Sequence, residues 1–94
     1  MKLQVRAAAL RDLDGIYDYT LAAHGVAQAE AYVRGLWAAM ENLCAYPKSG
    51  PANDLRPGLR SLAVSRHRVF YRIEGDAVVV ARVLHKVMDA ERWL

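Results

Sequence analysis

The sequence predicts an α+β fold in the order strand, helix, helix, strand, strand, strand, with an antiparallel helical hairpin packed on one face of a small antiparallel sheet. Three observations carry this. Apolar residues recur at helical spacing from Ala7 to about Tyr46, the period becomes that of strands after Leu59, and a stretch rich in glycine and proline separates the two regimes. The 94 residues suit one domain, residues 1–94, and at 54% hydrophobic they are too apolar for a disordered tail. A core of this size is marginal, so an obligate partner is expected.

Leu3 and Val5 alternate with Lys2, Gln4 and Arg6, as in a half-buried strand. From Ala7 to His24, Leu10, Leu13, Ile16, Tyr17 and Leu21 recur at three and four residues, while Arg11, Asp12, Asp14 and Asp18 fall elsewhere on the wheel. His24-Gly25 supplies the stop, because glycine tolerates the left-handed conformation that ends helices. A second helix is predicted from about Ala27 to Tyr46, with an apolar stripe through Ala29, Tyr32, Val33, Leu36, Trp37, Met40, Leu43 and Cys44, and Pro47 ends it. The link at Gly25-Val26 is short enough to force an antiparallel hairpin. Tyr17, Tyr19, Tyr32 and Trp37 are read as core or partner surface.

Lys48 to Gly58 has turn chemistry, with Leu55 as its one sizeable apolar anchor. Three strand-like runs follow: Leu59 to Ser65, Arg68 to Glu74 and Ala77 to His85. Arg66-His67 and Gly75-Asp76 lie between them at hairpin length, so an antiparallel meander is expected. Lys86 to Leu94 reads as a terminal turn or short helix. The run Val78-Val79-Val80-Ala81, resuming at Val83-Leu84, is apolar on both faces, as in a strand covered on both sides. Two helices cover one face only. The other calls for the loop, the tail or another chain, and another chain is the expectation, since an exposed apolar face is a liability.

The charge divides unevenly. Residues 1–47 hold four Lys or Arg against five Asp or Glu, a net of −1, and residues 48–94 hold nine against five, a net of +4. Ten of the thirteen cations are Arg, which pairs bidentately with carboxylate or phosphate. Cys44 is the only cysteine, which excludes an internal disulfide and points to a reducing cytoplasm, with Cys44 itself a small buried hydrophobe. No apolar run approaches the roughly 20 residues that span a membrane, so no membrane contact is expected.

No nucleophile elbow, phosphate-binding loop, H-E-x-x-H or dinucleotide glycine pattern occurs. Glu74 and Asp76 fall at a turn and read as solvated charge. His85 and Asp89 have helix-like spacing but no third ligand, so neither metal nor other cofactor is expected. Arg68, Arg72, Arg82, His85 and Lys86 could be gathered by the meander to clamp a phosphodiester while His85 moves protons. The reading preferred on residues alone is a basic rim facing an acidic partner, because no general base stands beside the histidine. Phe70 and Tyr71 are assigned to sheet packing, because adjacent strand residues point to opposite faces.

Taken in order, several blocks resemble one family. Leu10-x-x-Leu13-x-x-Ile16-Tyr17-x-Tyr19, Leu43-x-x-Tyr46-Pro47, Gly50-Pro51, Leu55-Arg56-Pro57-Gly58-Leu59-Arg60, Val69-Phe70-Tyr71-Arg72 and Arg82-Val83-Leu84-His85 are similar to the toxins of the RelE/ParE superfamily, in particular its ParE branch of plasmid stabilisation proteins. The resemblance implies a cytoplasmic bacterial toxin held inactive by a cognate ParD-like antitoxin. It also implies an inhibitor of DNA gyrase and not a catalyst, without sequence-specific nucleic-acid binding of its own. The alternatives it leaves are a ribosome-dependent messenger RNA endonuclease of the RelE type, for which Arg68, Arg82 and His85 stand at the matching positions, and a degenerate toxin that only binds antitoxin. Lys86 and Val87 occupy the place of a helpful tyrosine, and the lysine-rich second-strand region is missing, which weighs against RNA cleavage.

Family antitoxins lay an extended acidic segment across the toxin. The corresponding contacts expected here are Tyr17, Val79, Ala81 and Val83 along a groove, with Arg60, Arg68, Arg72 and Arg82 meeting carboxylates. The gyrase contact is expected at His85, Lys86, Met88, Arg92 and Trp93.

Overall fold

The computed structural model describes every residue from Met1 to Leu94. Its elements are β1 (Lys2–Val5), α1 (Ala7–His24), α2 (Val26–Ala45), β2 (Arg60–Val64), β3 (His67–Glu74), β4 (Ala77–His85) and α3 (Ala90–Trp93). The expected β-α-α-β-β-β order is what forms, and the tail adds one helical turn. Gly25 closes α1 and opens α2 at φ +90°, its N–H donating to the Leu21 carbonyl at 2.9 Å. No helix is long and apolar enough to cross a membrane.

The sheet has the order β1-β4-β3-β2. β2, β3 and β4 form the antiparallel meander, but β1 lies parallel to β4, with Leu3 opposite Val78 and Val5 opposite Val80. The sheet is therefore mixed where an antiparallel one was expected. No turn joins β1 to β4; the helical hairpin, the loop and the meander lie between them, so no tight turn fixes their relative direction.

One core layer lies between helices and sheet. It contains Ala9 and Leu13 of α1, Leu36, Met40 and Leu43 of α2, Val69 and Tyr71 of β3, and Val78, Val80 and Val83 of β4. The spacing from 80 to 83 departs from alternation, and the register explains it. Phe70 is opposite Arg82 and Tyr71 is opposite Val80, so Ala81 is a bulge residue that returns Val83 to the helix side.

The second face departs from expectation. Leu59, Phe70 and Leu84 form a separate buried cluster there, and Leu55 of the loop with Ala90 and Leu94 of the tail pack against it. The chain thus covers much of this face itself, and the apolar character of β4 on both sides does not by itself require a second chain. The loop is pinned through Tyr71, whose hydroxyl donates to the Pro47 carbonyl at 2.5 Å and accepts from the Gly50 N–H at 3.0 Å. A Cβ on Gly50 would sit 2.8 Å from both the Ser61 carbonyl and the Tyr71 side chain, so only glycine lets the loop lie this close.

Candidate functional site

β1 pairs with β4 only as far as Val80. Beyond that point the edge of β4 is open, and Asp12 of α1 occupies it. Its carboxylate accepts from Arg82 Nε at 2.8 Å, Arg82 Nη2 at 2.7 Å and the Val83 N–H at 2.9 Å. The Val83 N–H would otherwise be an orphan of the ladder. Arg82 also donates from Nη1 to the Trp93 carbonyl at 2.7 Å, so one guanidinium joins α1, β4 and the tail. The hydrogen bond to Asp12 is the foremost reason that its pKa is raised.

Next to this network, β3 and β4 end in a cross-strand pair, His67 opposite His85, with ring centroids 5.1 Å apart and planes at 76°. Tyr32 reaches them from α2. Its hydroxyl lies 2.6 Å from His67 Nδ1 and accepts from the Arg66 N–H at 3.3 Å. The direction of the Tyr32–His67 hydrogen bond follows the imidazole tautomer: with Tyr32 O–H donating to Nδ1, the His67 proton sits on Nε2. His85 Nδ1 accepts from the Val87 N–H at 3.2 Å, so its proton is on Nε2 as well. The His67 pKa is lowered, first by burial and then by the neighbouring His85, with Asp12 acting in the opposite sense. These groups border a cavity of about 630 Å³ between the helices and the open end of the sheet, whose walls also include Arg11, Tyr19 and Met88.

The residues expected to form one cationic cluster are divided by the sheet. Val69 and Tyr71 pack toward the helices and Phe70 toward the second face, so the alternation of β3 puts His67 on the helix side and Arg68 and Arg72 on the other. Arg68 is exposed, Arg72 donates to the Pro57 carbonyl at 2.5 Å, and Arg60 donates to the Gly50 carbonyl at 2.9 Å. Arg82 is committed to Asp12. Arg68, Arg82 and His85 therefore do not converge on one reacting atom, and a phosphodiester clamp of Arg68, Arg72, Arg82, His85 and Lys86 is not assembled. No three His, Cys, Asp or Glu side chains are grouped to hold a metal ion.

Of the expected groove residues, Tyr17 and Ala81 are half-buried, but Val79 and Val83 are 4% and 2% exposed. These two valines are correctable on physical grounds: the fold buries them, Val83 within the helix-facing core, leaving no area for a partner. Lys86, Met88, Arg92 and Trp93 are exposed and His85 is half-buried. Arg92 stacks its guanidinium 5.7 Å from the Trp93 ring centre. Sequence reasoning missed Asp12 and His67. The pattern His67-x-Val69-x-Tyr71 carried a signal for the latter, since it continues the strand's inward alternation into what reads as a turn. Asp12 carried none, because its partner is 70 residues away.

Residues 3–90 match the family model of the ParE toxin of the type II toxin–antitoxin system parDE. The chain is 44% identical to Toxin ParE1 of Mycobacterium tuberculosis (strain H37Rv) over 89 residues, covering 93% of this chain and 91% of that protein. It is 43% identical to Toxin ParE1 of Caulobacter vibrioides over 94 residues, covering 99% and 95%. Among solved structures, a chain of a chromosomal ParDE system from P. aeruginosa superposes with a TM-score of 0.81 at 25% identity, covering 90% of this chain and 95% of that one. A chain of the toxin–antitoxin complex RelBE2 from Mycobacterium tuberculosis gives 0.58 at 26% identity, covering 90% and 96%. With its strand, helical hairpin and meander matched over almost its whole length, the chain belongs to the ParE family of type II toxin–antitoxin toxins.

Proposed function

We propose that this toxin acts in the cytoplasm as an inhibitor of DNA gyrase and that a ParD-like antitoxin encoded with it holds it inactive. The single observation that supports inhibition over RNA cleavage is the division of Arg68, Arg82 and His85 between two faces of the sheet and an internal ion pair. The antitoxin would place acidic side chains along Arg68 and Arg72 on the second face and beside Arg60 on the edge strand β2, and its apolar side chains near Tyr17 and Ala81. The gyrase contact would use His85, Lys86, Met88, Arg92 and Trp93. The tail's exposed polar and apolar mixture supports that assignment, although Ala90 and Leu94 beside it also serve the fold.

Inducing the protein alone in cells, with pulse-labelling of DNA and protein synthesis, tests this reading. Early DNA-damage signalling, filamentous cells and recoverable gyrase–DNA cleavage complexes are expected. Immediate translation arrest with cut transcripts would replace it with the ribonuclease, and unimpaired growth would replace it with an antitoxin-binding protein that has lost its target. Co-expression of the antitoxin should restore growth, and Arg68→Glu with Arg72→Glu should weaken that rescue.

A further inference from the structure

We propose that the cavity at the open end of the sheet is a binding site for a tetrahedral oxyanion, either a free inorganic anion or the phosphoryl group of a small molecule. Its donors would be the Nε2–H groups of His67 and His85, with Arg11 and Arg66 supplying the attraction. This inference goes beyond the toxin reading and does not rest on it.

Four observations converge. The cavity, about 630 Å³, has the size of a small-molecule site. Its only carboxylate, Asp12, is already neutralised by Arg82 and filled by three donors. That leaves Arg11 and Arg66 as its uncompensated charges, and neither takes part in any of the chain's three ion pairs. Finally, both imidazoles have Nδ1 engaged, His67 with the Tyr32 hydroxyl and His85 with the Val87 N–H, so Nε2 is the free ring nitrogen of each, and on His85 it carries the proton.

The same arrangement selects among ligands. For a metal ion no third His, Cys, Asp or Glu ligand is grouped with the pair, and the Val87 N–H keeps the His85 proton on Nε2. A tetrahedral anion offers oxygens in several directions, so it can accept from two donors on rings whose planes stand at 76°. Ile16, Leu84 and Met88 give the walls an apolar part against which an organic remainder could lie.

Binding is coupled to protons. The titratable and charged groups facing the pair are Arg11, Asp12, Tyr19 and His24 from α1, Tyr32 from α2 and Arg66 from the β2–β3 turn. In the empty site two imidazoliums this close repel, and burial opposes charging His67. An anion between them reverses that balance, and the Tyr32 oxygen can turn from donor to acceptor when Nδ1 gains its proton. Sulfate is the suitable probe because its own charge is constant over the range in which histidine titrates.

The test is imidazole nitrogen NMR of the full chain, titrated with sodium sulfate against sodium chloride at matched ionic strength. The His67 and His85 signals should move saturably, with an apparent dissociation constant about fivefold lower near about pH 5.5 than near about pH 7.5. Arg11→Gln and Arg66→Gln should each weaken binding by about fivefold. Both arginines are exposed and unpaired, so unchanged melting curves will confirm that the variants stay folded. Adenosine 5′-monophosphate forms the second arm. Tighter binding than sulfate would identify a phosphorylated small molecule as the ligand class, and equal or weaker binding a free inorganic anion. Rings unmoved by sulfate, rings moved equally by chloride, or full affinity in both arginine variants would overturn the proposal.

Discussion

Asp12→Ala removes the one group that ties α1 to the open edge of β4. The carboxylate accepts three hydrogen bonds between 2.7 and 2.9 Å, and the side chains of Arg82 and Asp12 are 22% and 13% exposed. Breaking a buried pair by deleting one member costs about 3–5 kcal/mol, mostly because the surviving charge is stranded. Arg82 keeps some access to water, which lowers that to about 2–4 kcal/mol, the Val83 N–H left without an acceptor included. For a chain of this size each kcal/mol moves the melting temperature by about 4–8 °C, so a fall of roughly 10–25 °C is expected. Arg82→Gln alone should cost less, since the Asp12 carboxylate retains the Val83 N–H. In a cycle with Asp12→Asn and Arg82→Gln, urea unfolding should return a coupling of about 1.5–3 kcal/mol. Additive single effects, or an Asp12→Ala melting temperature within about 3 °C of the parent, would refute the idea that this carboxylate stands in for the missing length of β1.

Three further outcomes are expected. Because the His67 pKa is lowered in the folded chain from 6.5, the fold binds fewer protons there than the unfolded chain does; stability should be constant above that pH and decline as pH falls below it, and His67→Gln should flatten the decline in urea titrations at stepped pH. Gly50→Ala forces a methyl group against the Ser61 carbonyl and the Tyr71 side chain and should destabilise by about 1–3 kcal/mol, whereas Gly35→Ala, where nothing lies near a Cβ, should stabilise or be neutral in the same thermal melts. Deleting residues 89–94 uncovers Phe70 and Leu84 and should add binding of a hydrophobic dye and lower stability by about 1–3 kcal/mol; a truncated chain that melts unchanged would show that the tail serves recognition alone.

Helices and strands were legible because their signals are local. The stripe Leu36, Met40, Leu43 and the alternation Val69, Tyr71 need no knowledge of the rest of the chain, and Gly25 and Pro47 end helices for reasons that act within a turn. What was not legible depends on pairings distant in sequence. The parallel entry of β1 is one case. Another is the bulge at Ala81, which moves Val83 from a presumed groove into the core. The cover over Phe70 and Leu84 was misassigned to a second chain because Leu55, Ala90 and Leu94 are scattered among polar residues, and only the folded loop and tail bring them together. Arginine count pointed correctly to a basic second half but could not tell Arg68, which is free, from Arg82, which is held by an acid on the first helix.

A short first strand accounts for much of the site. β1 stops at Val5, because the chain turns into α1 at Ala7, while β4 continues to His85. The last five residues of β4 consequently lack a neighbour on one side. A longer β1 would have paired the Val83 N–H with backbone and left Asp12 no donor there; it would also have filled the space into which the cavity opens. Instead the side-chain carboxylate caps the edge, Arg82 is drawn toward the helix and tail, and His67 and His85 stand at the uncovered end under Tyr32. Lengthening β1 by two residues ahead of α1 should therefore do two things at once: abolish the energetic coupling between Asp12 and Arg82, and remove the sulfate response of both histidines. If the coupling disappeared while the response persisted, the cavity would owe its form to the helices and not to the unequal lengths of the two strands.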